Sequence, residues 1–145
     1  SPVGALGLMQ LMPATAQEVS RNLGLPFSRA RLTSEWEYNA VLGSAYLAAL
    51  TATFGDSPVM IAAGYNAGPS RPLQWVAERG DPRRGEADVI DWIEAIPFTE
   101  TRNYVMRVTE SIPIYRARLT GQTGEGDFLS LLNGRPPLVR PVARP

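Results

Sequence analysis

The 145 residues predict an all-α domain. Apolar residues return at three- and four-residue spacing along most of the chain. Gly, Pro and small capping residues punctuate these runs at helical distances. No two segments alternate with the period of two that paired strands need, and no internal repeat is visible. Roughly five to seven helices fit the spacing, with the short connections usual in helical bundles.

Leu6-Gly7-Leu8-Met9-Gln10-Leu11-Met12 is an apolar run interrupted by one Gly and one Gln. Pro13 suits a first helical position, Ala14 to Asn22 reads as a short helix, and Gly24 as its stop. Leu25 to Thr33 reads as a loop. Ser34 is placed to cap a second helix, with Glu35 and Glu37 in its first turn and Trp36, Ala40, Leu42 or Gly43, Leu47 and Leu50 as its apolar stripe. That helix runs to about Phe54, before Gly55. Asp56 or Ser57 caps a third helix that starts at Pro58. Val59 to Gly64 is apolar all round, which predicts a central, buried helix. It stops in Tyr65-Asn66-Ala67-Gly68-Pro69. Arg71 to Arg79 is a fourth helix, Arg83 to Glu86 a polar loop, and Asp88 to Ala95 another amphipathic helix closed by Pro97. Thr99 is placed to cap a long helix through Glu100, Tyr104, Val105, Val108, Ile112 and Tyr115, which Pro113 is expected to kink or split. Gly121 to Gly126 is a flexible break, Asp127 to Asn133 a last short helix, and Arg135 to Pro145 a Pro-rich extended tail. The expected organisation is a folded domain over 1–121 and a flexible C-terminal segment over 122–145.

Composition narrows the chemistry. The 14 basic and 14 acidic residues balance, and nothing suggests a nucleic-acid partner, which would favour a basic face. The apolar stretch from Ala40 to Phe54 is broken by Gly43, Ser44, Thr51 and Thr53 and falls short of the roughly 18 residues of a membrane span. There is no Cys and no His. That excludes thiolate nucleophiles, Ser-His-Asp triads and His or Cys metal sites, and neither a metal nor a cofactor is expected. Proton chemistry falls to carboxylates. The chain opens at Ser1, not Met, and runs directly into a dense apolar segment, which reads as a piece of something longer.

Three motifs stand out. Gln10 is a polar amide inside an apolar run: either backbone satisfies it in a tight turn, or it lines a cleft and bonds a polar ligand. Met9 and Met12 read first as gap-filling core residues. Tyr65 and Asn66 end a helix at Gly-Pro, either as a packed cap or as a cleft edge where sugar rings stack and hydrogen-bond. Glu100 and Tyr104, four apart, share a helix face; a carboxylate there is by default a charge favoured by the helix dipole. Arg102 and Arg107 lie on other faces and read as solvated.

In order along the chain, Ser1-Pro2-Val3-Gly4-Ala5, Gly7 to Ala16, Asn39 through Leu47, Ala62 to Pro69, Trp75 and Ile96 to Val105 resemble the catalytic domain of soluble lytic murein transglycosylases, a lysozyme-like family acting on peptidoglycan. The resemblance extends to about Tyr115. It implies a lysozyme-like helical domain with a sugar cleft. By position, Ser1 resembles the serine that supports the catalytic acid. Gln10 and Met12 resemble cleft residues on the glycan, and Tyr65 and Asn66 the cleft-wall pair around the acid. Glu100 resembles the second cleft carboxylate, and Tyr104 its neighbour. The partners implied are peptidoglycan glycan strands, and the location implied is the periplasm or cell envelope.

The resemblance also implies a catalytic Glu in a Glu-Ser pair shortly before the serine that matches Ser1, so no catalytic residue is assigned within the 145. Glu110-Ser111, the other Glu-Ser dipeptide, lies deep in the last long helix pattern. In the family that Glu first protonates the leaving oxygen of the MurNAc–GlcNAc bond. It then takes the proton of the C6 hydroxyl that closes on C1, leaving a 1,6-anhydro sugar. Without it, general acid catalysis worth roughly 10²–10⁴-fold is lost, and the chain alone is expected to be nearly inactive. A non-catalytic glycan-binding module and a lysozyme-type hydrolase using Glu100 are the competing readings.

Overall fold

The computed structural model describes residues 4–121 and 128–134. Ser1 and the segments 122–127 and 135–145, where the flexible break and the Pro-rich tail are expected, lie outside the described residues. The described residues are helical apart from turns, loops and one isolated antiparallel bridge between Leu6 and Leu11. The helices are α1 (Pro13–Asn22), α2 (Arg31–Ser34), α3 (Trp36–Phe54), α4 (Pro58–Ala67), α5 (Ser70–Arg79), α6 (Val89–Glu94), α7 (Thr99–Thr120) and α8 (Phe128–Leu132), with a 3-10 turn at Pro82–Arg84. None of them is long and apolar enough to cross a membrane. The chain divides into two compact units, one ending at Ala52 and one beginning at Thr53.

In the first unit α1 starts at Pro13 and ends before Gly24, whose φ of +67° is the left-handed stop that glycine supplies cheaply. The stretch read as a loop contains α2 in its last part. The Tyr38 hydroxyl fastens the rest: it accepts from the Ser28 N–H (3.0 Å) and donates to the Pro26 carbonyl (3.1 Å). Ser34 does not cap α3. Its hydroxyl donates back to the Ala30 carbonyl (3.1 Å), closing α2, and the extended residue between the helices is Glu35. The Glu35 carbonyl accepts from the Asn39 N–H, while its carboxylate pairs with Arg31 at 2.8 Å. The buried stripe of α3 is Tyr38, Asn39, Leu42, Gly43, Leu50 and Phe54, whereas Trp36 and Leu47 are exposed.

In the second unit α4 is the central helix that its apolar sequence predicts. Val59, Met60, Ala62, Ala63 and Gly64 are buried, and α4 packs above all on α7, then on α5 and α8. Burying a Val or Met side chain contributes roughly 1.5–3 kcal/mol. The Ser57 hydroxyl accepts from the Met60 N–H (3.3 Å), so Ser57 is the cap. The start of α7 differs from expectation: Phe98, not Thr99, is the extended residue before the helix, and Thr99 makes no capping bond. Nor does Pro113 split α7, which runs unbroken to Thr120. Proline withholds one donor, but Thr101, Val105 and Thr109 are already buried ahead of it. Arg102 is not a solvated charge; its guanidinium donates to the Ile96 carbonyl (3.1 Å). Arg107 donates to the Asn103 carbonyl at 3.3 Å.

The last helix docks where α4 begins. Leu132 is buried, and the Ser57 hydroxyl donates to its carbonyl (3.4 Å). Gly134, at φ +79°, leaves no room for a side chain: a Cβ would lie 2.8 Å from the Asp56 carbonyl carbon and the Ser57 nitrogen. Gly134→Ala therefore forces left-handed strain and a backbone clash together. A loss of about 1–2 kcal/mol or more is expected, read as a drop of several degrees in Tm. An unchanged Tm would show that this docking adds nothing to stability.

Candidate functional site

The first cluster is the Leu6–Met12 loop. Leu6 and Leu11 exchange both backbone hydrogen bonds, at 2.8 and 3.0 Å. The Gln10 N–H closes the turn on the Gly7 carbonyl (3.1 Å). Gly7 and Gln10 have φ of +73° and +52°, and Gln10 is the one described non-glycine residue with positive φ. Its side chain is exposed, and Nε2 also donates to the Gly7 carbonyl at 2.9 Å. The backbone thus satisfies one end of the Gln10 amide, as the tight-turn reading expects, and the side chain is exposed, not packed in a core. Met12 is 43% exposed, more than a core residue would be. Met9 is half-buried against Gly43, where a Cβ would collide with its thioether.

Asn39 underlies this loop. It is fully buried. Its Oδ1 accepts from the Met9 N–H (2.7 Å), and Nδ2 donates to the carbonyls of Leu6 (3.0 Å) and Leu32 (3.1 Å). Sequence reasoning placed Asn39 in a matching stretch but gave it no role. An amide at a buried position of an apolar helix was the available signal.

The second cluster joins the end of α4 to the start of α7. Tyr65 is half-buried and Asn66 exposed, both in the last turn of α4. The Thr101 hydroxyl, itself buried, donates to Asn66 Oδ1 at 2.7 Å. Thr101 thus holds the Asn66 acceptor from the first turn of α7, next in sequence to Glu100 and three residues before Tyr104. Glu100 is exposed and Tyr104 half-buried. Burial pushes the Tyr104 phenol above its ordinary range. Burial raises Tyr46 too, with the Glu18 charge adding to it. Thr101 went unmarked in the sequence because a Thr in a helix's first turn usually signals only capping.

The Thr101–Asn66 bond therefore ties the end of α4, which carries Tyr65 and Asn66, to the start of α7, which carries Glu100 and Tyr104. Gln10 and Met12 are held by contacts of the first unit. Ser1 lies outside the described residues. Glu110-Ser111 offers no acid site: Glu110 is exposed in mid-helix, and the Ser111 hydroxyl donates to the Val108 carbonyl (2.8 Å). Among the described residues no group of three or more Asp or Glu is arranged to hold a metal.

A family model described as the transglycosylase SLT domain matches residues 1–87. The soluble lytic murein transglycosylase of Escherichia coli K12 is 38% identical over 117 residues, which are 80% of this chain and 18% of that protein. The crystal structure of the 70 kDa soluble lytic transglycosylase from Escherichia coli superposes with a TM-score of 0.73 at 36% identity, covering 90% of this chain and 20% of that one. An inactive mutant of the lytic transglycosylase Slt from Pseudomonas aeruginosa, with glutamine in place of a glutamate, superposes with a TM-score of 0.68 at 43% identity over 83% of this chain and 19% of that one. The chain thus spans about a fifth of the length of these relatives.

Proposed function

Since the chain belongs to the transglycosylase SLT domain family and has its all-α, lysozyme-like fold, we propose that it forms the glycan-holding part of a peptidoglycan lytic transglycosylase. The observation that carries this reading is the extent of the family match, which includes both the Gln10–Met12 loop and the Tyr65–Asn66 turn. The proposed reaction is non-hydrolytic. A carboxylic acid protonates the oxygen leaving the MurNAc C1. The C6 hydroxyl closes on C1, and its proton returns to the same carboxylate. The products are a free GlcNAc hydroxyl and a 1,6-anhydro-MurNAc end, with no water consumed. One carboxylate thus suffices where ordinary glycosidases need two.

In this reading Gln10 and Met12 contact the glycan, Tyr65 and Asn66 form the wall beside the acid, and Tyr104 donates a hydrogen bond as a protonated phenol. Glu100 is the second carboxylate of the cleft. Ser1 supports the acid, which the resemblance places ahead of it. The glutamate-to-glutamine change in the inactive Pseudomonas aeruginosa mutant supports an acid of that kind. Peptidoglycan as substrate puts the protein in the cell envelope, on the periplasmic side.

Incubation with purified peptidoglycan, followed by mass spectrometry, tests the reading. The 145-residue chain runs beside a form extended upstream to a Glu-Ser pair. Anhydro-muropeptides from the extended form alone are expected. Anhydro products from the short chain would assign the acid to a carboxylate within it, Glu100 first. No products from either would leave a binding module. In the extended form, Tyr65→Phe and Gln10→Ala should each lower turnover about tenfold, the scale of one lost transition-state hydrogen bond. Neither should move Tm by more than a few degrees. A large fall in Tm would make them core residues instead.

A further inference from the structure

The Gly7–Gln10 turn has an unusual seat. A fully buried carboxamide, Asn39, reaches backbone groups on both sides of it: the Leu6 carbonyl before the turn and the Met9 N–H within it. The same amide donates to the Leu32 carbonyl, which fixes its own orientation. Gly7 has no room for a Cβ, which would fall on the Asn39 amide and the Leu32 carbonyl. Gly43, one helical turn after Asn39 and on the same face of α3, leaves the space that Met9 fills. At the end of this turn Gln10 holds a left-handed conformation that a long side chain adopts only where its surroundings dictate it.

We infer that Asn39 is a positioning residue, whose carboxamide sets the register and handedness of the Gly7–Gln10 turn and so the direction in which the Gln10 amide is offered to the glycan. The inference rests on the reading of Gln10 as a glycan contact. Asn39 does not touch the sugar; it acts through Met9 and Leu6. Only a group with one acceptor and two donors on a planar frame satisfies these three partners. The substitution Asn39→Asp would keep the bond from Met9 but turn a second oxygen toward two carbonyls.

The test is NMR on the isotope-labelled 145-residue chain, with a tetrasaccharide of alternating GlcNAc and MurNAc as probe. In the wild-type chain a scalar coupling across the Met9 N–H to the Asn39 side-chain carbonyl carbon is expected. The tetrasaccharide should shift the Gln10 side-chain amide resonances. In Asn39→Asp, at a temperature where circular dichroism shows the helices intact, the Gln10 backbone amide, which bonds the Gly7 carbonyl, should exchange about tenfold faster as the turn loosens, and tetrasaccharide affinity should fall about tenfold. The backbone coupling that reports φ at Gln10 should move with them. Absence of the Met9 coupling in the wild-type chain overturns the inference, even if Asn39→Asp fails to fold. So does a folded Asn39→Asp with wild-type Gln10 resonances and affinity. If the tetrasaccharide leaves Gln10 unmoved in the wild-type chain, the glycan reading of Gln10 falls, and with it the purpose assigned to Asn39.

Discussion

Trp75→Ala should destabilise the chain by about 3–5 kcal/mol, a fall in Tm on the order of 10 °C. Trp75 is 2% exposed on α5. Its ring meets Trp92 of α6 edge-on at 6.1 Å and Phe98 at 5.6 Å. Arg71 lies over the other ring of this group, with its guanidinium carbon 5.2 Å from the Phe98 centroid. Phe98 is the extended residue from which α7 departs. Emptying the Trp75 site therefore removes a large buried surface and also loosens the start of α7, where Glu100, Thr101 and Tyr104 stand. Thermal unfolding by circular dichroism gives the first effect. The second should appear as lower turnover in the extended chain well below Tm. Trp75→Phe should recover part of both. A loss below about 1 kcal/mol would show that the cavity closes and that these aromatic contacts carry little.

Removing the Asp81 carboxylate should cost about 2–3 kcal/mol at neutral pH, less than the roughly 3–5 kcal/mol of a fully buried pair because Arg83 keeps some access to water. Asp81 is buried and accepts from Arg83 through the side chain (2.7 and 2.9 Å) and the backbone N–H (2.9 Å). Arg83 in turn donates to the Phe54 carbonyl at the end of α3, one of the acceptors a helix terminus leaves open. The Arg83 guanidinium, chiefly by its hydrogen bonds, holds the Asp81 carboxyl below its ordinary range, against the opposing effect of burial. The folded pKa is thus lower than the unfolded one. The stabilisation is complete above the unfolded value of about 3.9 and is lost as pH falls through the folded one. Urea titrations at a series of pH values should show wild-type stability falling below about pH 4, and Asp81→Asn should remove this share of the slope. Equal slopes in both proteins would assign acid sensitivity to other carboxylates.

Much of the helical order was legible in the sequence because it follows from local rules. The all-apolar run from Val59 to Gly64 implied a buried helix and forms one. Gly24, Gly55 and Gly121 mark helix ends where a left-handed residue is needed. The misread positions share one cause, competition from a partner that local spacing does not show. Ser34 has the chemistry of a cap, but the preceding turn takes its hydroxyl. Phe98 has no capping chemistry, yet its ring on Trp75 accompanies the extended backbone that starts α7. Arg102 reads as a surface charge until the Ile96 carbonyl is found within reach. The candidate site was legible as residue types alone. Gln10, Tyr65, Asn66, Glu100 and Tyr104 stand out as residue types. The side-chain bonds that reach this neighbourhood, from the Met9 N–H to Asn39 and from Thr101 to Asn66, span 30 and 35 residues of chain. Such separations leave no periodic trace.

The left-handed Gln10 has a consequence for protein engineering. Gly and Asn tolerate that conformation at lower cost, so a screen for heat resistance alone has little reason to keep glutamine there. A screen for sugar processing does, if the exposed amide grips the substrate. Libraries randomised at this one codon and sorted under the two regimes should drift apart. The distance between their outcomes would measure how much backbone strain the fold tolerates in exchange for work.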